Sequence, residues 1–256
     1  MNHFPFLIER EILRRKITLF NSNWILGRVA CLGLELFNRS FSGNIYKLIN
    51  TQKGRVDCLS DYAYGKEKKP YSRDIFDYLK RHDIASLIVQ QQIFSLPNKS
   101  PKYILMDSYS ELTDQKFISI EDRYAFCCNY SDLNFDKKAK MLFRCEGLLS
   151  IAELERHYTI FFDMLINTYG NVPIIFIHFP SELESREKFK NRADRILVAI
   201  SKVQKKYNRF HQVIVSPSTA LLVDEGGDSD FPYHYNESVY ADMEKQINKI
   251  ICLYDK

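Results

Sequence analysis

Short apolar runs, each closed by a turn residue, alternate with longer helix-patterned segments along this chain. Tyr103-Ile104-Leu105-Met106 stands between Pro101 and Asp107, Pro173-Ile174-Ile175-Phe176-Ile177 ends at His178, and Gln212-Val213-Ile214-Val215 leads to Pro217. Lys16-Ile17-Thr18-Leu19-Phe20 and Arg55-Val56-Asp57-Cys58-Leu59 read as two further extended runs. Helix patterns fill the intervals at about 23–38, 72–81, 150–169, 181–207 and 237–253, with Ser150 and Glu153 as a capping box and Gly170 as a stop. Strands of this length separated by helices form a parallel sheet covered on both faces, joined by right-handed crossovers. The expected fold is therefore α/β: a doubly wound three-layer α/β/α arrangement around a mostly parallel sheet of about five strands. Residues 1–256 read as a single domain. The segment 112–147 mixes aromatics, Asp and Lys, and reads as an irregular insertion or lid with some helix.

Composition narrows the function. A 45% hydrophobic content is enough for a sizeable core, and nine glycines leave neither a G-x-G-x-x-G turn nor a P-loop. The six cysteines, Cys31, Cys58, Cys127, Cys128, Cys145 and Cys252, make no C-x-x-C pair and read as free, mostly buried thiols in a reducing compartment. His82, His157 and His211 have no metal spacing with Cys or carboxylates, so no metal is expected. The formal net charge of +4 is mild, its clusters read as solvated surface, and no recognition motif accompanies them; nucleic acid is not an expected partner. The apolar start, Phe4-Pro5-Phe6-Leu7-Ile8, is too short for a secretory core, and no run approaches the ~18 apolar residues of a membrane span. The expected location is cytoplasmic.

Ligands of doubly wound sheets bind at the carboxyl ends of the strands. Ser22, Asp107, His178 and the loop carrying Asp228, Asp230, Tyr233 and His234 each follow a proposed strand, so they are expected on one edge. Ser22, between Asn21 and Asn23, would stand on a strand-to-helix turn with its hydroxyl exposed and helix N–H groups beside it. It also fits a helix cap. His234 can serve as its base, with Asp230 first and Asp228 second to orient the imidazole. The Ser22 backbone N–H is the natural oxyanion donor, with Gly65 and Ser108 as further donors. Asn21, Asn23, Asp107, His178 and Tyr233 are the candidate substrate contacts. His178 also fits a structural histidine at a strand end. Asp107, Glu111 and Asp114 could hold a cation or sugar hydroxyls, although a solvated loop suits them better.

Leu19-Phe20-Asn21-Ser22-Asn23, Tyr103-Ile104-Leu105-Met106-Asp107-Ser108 and Pro232-Tyr233-His234-Tyr235, in this order, resemble the SGNH (GDSL-like) hydrolase superfamily, and most of all an SGNH-like branch found in bacterial polysaccharide biosynthesis. Asn21 stands where that family has glycine, Phe231 stands at the Asp position of its Asp-x-x-His pattern, and no Gly-x-Asn triplet follows the third strand. The resemblance implies a serine-dependent O-acyltransferase or esterase. It would act through an acyl-enzyme at Ser22 on a surface or capsular polysaccharide or its precursor. No cofactor would be permanently bound, and an acyl donor such as acetyl-CoA would be a co-substrate. The implied partners are a glycan acceptor and, peripherally at the inner face of the membrane, the polysaccharide synthesis machinery. The same scaffold with catalysis lost would be a glycan-binding or assembly protein.

Overall fold

The computed structural model of the protein describes residues 4–20, 23–41, 46–63, 73–220 and 234–255. The chain opens as a helix, α1 (Phe4–Phe20). The run 16–20, expected to be a strand, forms its last turns: Arg15 and Thr18 are buried while Ile17 and Phe20 face solvent, a helical period and not an alternation. The first strand is β1 (Trp24–Arg28), buried at every position. The helix expected over 23–38 is thus a strand, a turn at Val29 and Ala30, and then α2 (Cys31–Phe41). An unbroken apolar run shows no period, and only burial on both faces separates strand from helix here.

β2 (Lys47–Asn50) follows, and then α3 (Val56–Ala63). The run 55–59, read above as extended, is the start of this helix. Val56, Leu59 and Ser60 are buried in it at a spacing of three and four, and Asp57 is buried beside them, paired with Arg55. A 3-10 turn (Arg73–Tyr78) and α4 (His82–Gln92) lead to β3 (Tyr103–Asp107), which lies where the sequence places it. After the short α5 (Tyr109–Thr113) come β4 (Asp114–Ser119), β5 (Ala125–Asn129), α6 (Lys137–Leu142) and β6 (Phe143–Gly147). The remainder is α7 (Ile151–Tyr169), β7 (Ile174–Ile177), α8 (Glu187–Gln204), β8 (Phe210–Val213), α9 (Pro217–Ala220) and α10 (Glu237–Tyr254). The Ser150–Glu153 capping box does not form: Ser150 makes no side-chain cap bond, and only the Glu153 N–H donates back to its carbonyl. Gly170 does end α7, at φ 71°, a conformation that costs a glycine little.

Five strands form one parallel sheet in the order β2-β1-β3-β7-β8. This is the doubly wound α/β fold expected from the sequence. The strand order reverses between β1 and β3, and such a switch point opens a crevice at the carboxyl ends. α3, α7 and α8 pack in a row, and α10 packs on α2. Right-handed crossovers put these two groups on opposite faces of the sheet. The segment 112–147 is not irregular: β4, β5 and β6 make an antiparallel sheet in the order β5-β4-β6. Phe117, Phe126 and Phe143 of that sheet pack with Ile75, Ile84 and Ile88 into a second core. Alternating strands interrupted by acidic turns hid this sheet in the sequence.

Candidate active site

β1 ends in Arg28, and this side chain organises the carboxyl edge. Its guanidinium is 2% exposed. Nη1 donates to both Glu111 carboxylate oxygens, at 2.7 and 2.9 Å, and to the Gly54 carbonyl at 3.1 Å; Nη2 donates to the Asp107 carbonyl at 2.8 Å. Glu111 also accepts from the Val56 N–H at 2.8 Å and from the Tyr158 hydroxyl at 2.5 Å. Despite burial, the Glu111 carboxylate holds the Arg28 charge firmly in place. Asn50, at the end of β2, bonds both backbone groups of Val29: its Oδ1 accepts from the N–H at 3.0 Å and its Nδ2 donates to the carbonyl at 2.9 Å. The turn after β1 is therefore fixed on two sides.

Asp107, at the end of β3, is buried under that turn. Oδ2 accepts from the Ala30 N–H at 2.6 Å and Oδ1 from the Tyr109 N–H at 3.1 Å. Burial nevertheless pushes the carboxyl up to about 7, against the lowering effect of these donors and of Arg28. Cys31 opens α2 immediately beyond and is exposed. Desolvation of its sulfur and the nearby Asp107 carboxylate both raise the thiol above its ordinary value. The aromatic side chains of Tyr109, Phe179 and Tyr235 contact in series, at centroid separations of 5.5 and 6.4 Å. Tyr235 also donates its N–H to the Tyr240 hydroxyl, and Arg39 of α2 stacks on Tyr240 and pairs with Glu237 at 2.6 Å. These contacts seat the start of α10, with exposed His234 three residues before it, beside α2.

The sequence-derived candidates separate on this frame. Asn21, Ser22, Gly65, Asp228, Asp230 and Tyr233 lie outside the described residues. The strand-to-helix turn proposed around Ser22 is corrected by its neighbours: Phe20 closes a helix, and Asn23 leads into the amino end of β1, where its carbonyl accepts from the Lys47 N–H. Asn23 is thus about 16 Å from Arg28, at the rise of an extended chain, and on the opposite edge from Asp107. Ser108 is not an open oxyanion donor. Its N–H donates to the Ile177 carbonyl and its hydroxyl accepts from the Phe179 N–H. His178 is buried, with Nε2 2.8 Å from Gln212 Oε1, and burial lowers it to about 4; this is the structural role. The acidic cluster is not a solvated loop. Asp107, Glu111 and Asp114 are all buried, and Asp114 pairs with Lys53, which also holds Asp132. Residue type alone points to Ser22 and not to Cys31. The signal available for Cys31 was its place directly after Trp24-Ile25-Leu26-Gly27-Arg28, once that run is taken as the first strand.

The six cysteines are all free. Cys127 and Cys128 are buried, and Cys31 and Cys252 exposed. Among the described residues no three His, Cys, Asp or Glu side chains gather as a metal site, and no helix is long and apolar enough to cross a membrane.

No protein-family model matches the chain, and no curated protein matches it. Among solved structures, one assigned as a GDSL-like lipase from Bacteroides ovatus aligns at 11% identity with a TM-score of 0.44, over 91% of this chain and 53% of that one. The chain spans about half the length of that structure, and similarity at this level places no activity on it.

Proposed function

We propose that this protein carries out acyl transfer or ester hydrolysis at the carboxyl edge of its five-stranded sheet, with the Cys31 thiol in the nucleophile's place and His234 as base. The observation that carries the reading is the turn after β1, which delivers an exposed Cys31 at the first position of α2. A nucleophile on a strand-to-helix turn meets the substrate with helix N–H groups beside it. The resting thiol is raised and so needs a base. In the proposed reaction the sulfur attacks an acyl carbonyl, His234 takes the thiol proton, and the departing alcohol or thiol leaves with it. A hydroxyl or water then attacks the thioester, returning its proton through His234 and restoring Cys31. A thioester such as acetyl-CoA suits the donor and a glycan hydroxyl the acceptor; surface or capsular polysaccharide as the substrate rests on the sequence resemblance alone. A peripheral contact with a membrane or with membrane-bound machinery is supported by α1, which exposes Phe6, Leu13, Ile17 and Phe20 at helical spacing beside Arg10 and Lys16.

A second reading, a glycan-binding or assembly protein without catalysis, is favoured by Arg28. A buried ion pair, not a hydroxyl, ends β1.

Hydrolysis of p-nitrophenyl acetate by wild type, Cys31→Ala, His234→Ala and Ser22→Ala, with mass spectrometry of the protein during turnover, tests the assignment. Turnover lost in Cys31→Ala and His234→Ala, with an acyl adduct on Cys31, supports it. Loss in Ser22→Ala with Cys31→Ala active returns the nucleophile to Ser22. Equal rates in all four folded proteins leave the binding reading.

A further inference from the structure

On the opposite face of the sheet from Cys31, a cavity of about 290 Å³ opens between α3, α7 and the edge of the small sheet. Arg55, Asp57, Lys116, Glu146, Ser150 and His157 line it, with Leu148 supplying an apolar wall. Its size sits at the small end of ligand pockets, and its lining is polar.

The tautomer of His157 is coupled to the hydroxyl of Ser60. Buried Ser60 donates its only hydroxyl proton to the Asp57 carbonyl at 3.0 Å. Its oxygen lies 2.7 Å from His157 Nδ1, and with the hydroxyl proton on the Asp57 carbonyl the matching tautomer carries its hydrogen on Nδ1, with Ser60 Oγ accepting it. Nε2 is then an unprotonated acceptor, and no described residue bonds it. Burial holds this imidazole below the ordinary histidine value, so it is neutral at neutral pH, although Asp57, Glu153 and Asp61 act in the other direction.

The carboxylates around it have cationic partners: Asp57 has Arg55, Glu146 has Arg144 and Glu153 has Arg156. Arg55 is forked onto Asp57 at 2.8 and 2.7 Å and donates to the Gly147 carbonyl at 2.7 Å. Lys116 stands 3.7 Å from Asp57 and 4.0 Å from Glu146, within ion-pair range of both but hydrogen-bonded to neither. Ser150 makes no side-chain cap bond to α7. A small anion would face four carboxylates on the walls, Asp57, Asp61, Glu146 and Glu153, and a cation would face Arg55 and Lys116. What the cavity offers is a set of uncommitted donors, Lys116 Nζ and Ser150 Oγ, opposite an uncommitted acceptor, His157 Nε2. Hydroxyl groups match such a set, because each donates once and accepts twice.

We propose that this cavity binds a neutral polyhydroxylated ligand of about one saccharide unit. His157 Nε2 accepts a ligand hydroxyl hydrogen, Lys116 and Ser150 donate to ligand oxygens, and Leu148 packs on a C–H face. The site does not depend on acyl chemistry at Cys31, and its test reads binding without turnover, so either reading can fail alone.

Protein labelled with ¹⁵N at histidine is titrated with glucose, galactose and N-acetylglucosamine, with glucuronate and inorganic phosphate as charged probes. The expected free protein shows His157 protonated at Nδ1. A neutral sugar moves the Nε2 resonance, and Lys116→Met and His157→Ala, folded by circular dichroism, each weaken its binding about tenfold, the loss of one hydrogen bond. An Nε2-protonated His157 overturns the proposal even if neither variant folds. So does a set of neutral sugars that leave His157 unmoved, binding of glucuronate or phosphate alone, or an affinity unchanged in both variants.

Discussion

The Glu111 carboxylate serves three partners with two oxygens, Arg28, Val56 and Tyr158, and its backbone carbonyl accepts from Arg192 at 2.6 Å. None of these partners at the carboxylate can turn to water, since Arg28, Val56 and Tyr158 are all buried. Truncating one member of a buried pair strands the other charge, so Glu111→Ala is expected to cost about 3–5 kcal/mol, read as a lower urea midpoint at unchanged slope. His178 gives the molecule an acid limb. Folded, it titrates at about 4, whereas an unfolded histidine titrates near 6.5. Between those values the unfolded chain holds a proton that the folded protein does not. The contribution of His178 is therefore complete above about pH 6.5 and lost as pH falls toward 4, on the order of 3 kcal/mol. Asp107 has the opposite sign over an overlapping window: its carboxyl is raised to about 7, so its burial costs stability as pH rises from about 4 to 7. The two partly cancel in the wild type, and the variant separates them. In His178→Asn the stability should no longer fall with acid on the His178 account, leaving a steeper decline toward neutral pH; parallel wild-type and variant curves would remove His178 from the balance.

At the scale of elements, the position of Cys31 depends on how closely α2 approaches the ends of β1 and β3. Gly33 sets that approach. A Cβ there would lie 2.6 Å from Val29 Cβ and 2.9 Å from Asp107 Oδ2, closer than packed atoms tolerate, and neither neighbour is the loose end of a long side chain. Gly33→Ala should push α2 outward at a cost of about 1–3 kcal/mol and change the alkylation rate of Cys31 by iodoacetamide. A variant with unaltered midpoint and rate would show that the helix yields freely. The same region shows what a sequence does and does not disclose. β3 and β7 were legible because Pro101 and Asp107, and Pro173 and His178, bracket β-branched and apolar runs too short for helices. α7 and α10 were legible from their period. β1 was not, because Trp24-Ile25-Leu26 is apolar throughout and only Gly27 and Arg28 separate it from the apolar stretch that runs on into α2. With the first strand one element further on, Ser22 precedes it in the chain instead of following it, and Cys31 is the residue that opens the helix after it. α3 was misread for a related reason: Arg55 and Asp57 alternate with Val56 and Cys58 as strand faces would, but these charges are buried and paired to each other, so polarity did not mark the solvent side. The buried pairs Arg28–Glu111 and Lys53–Asp114 were invisible for the same cause, since charged residues in a loop-like stretch ordinarily face water.

The described residues form two hydrophobic cores, one within the parallel sheet and its helices and one beneath the antiparallel sheet. Three strands with an apolar face are about the least that a sheet needs to stand by itself, and the contacts between the cores are buried and polar. Lys53 reaches from the loop after β2 to Asp114 at 3.2 Å and Asp132 at 2.8 Å. Arg55 donates to the Gly147 and Asp114 carbonyls. Gln91 of α4 bonds both backbone groups of Cys127, at 2.7 and 2.8 Å. Melting the small sheet alone would leave the Lys53 ammonium and the Arg55 guanidinium in the interior without their acceptors, a penalty of several kcal/mol. The two sheets should therefore unfold together. Phe117 and Trp24 provide the test, since Phe117 is fully buried in the small core and Trp24, the single tryptophan, is fully buried in the large one. Phe117→Ala removes an aromatic ring from the small core and should cost about 3–5 kcal/mol. If the coupling holds, Trp24 fluorescence, which sees only the parallel sheet, shifts its urea midpoint as far as the far-ultraviolet circular dichroism does, and amides of β3 and β4 lose exchange protection by the same amount. A Trp24 transition that stays in place while the dichroism splits into two steps would mean that the small sheet is a separate unit, and that the buried charges of Lys53 and Arg55 find water when it opens.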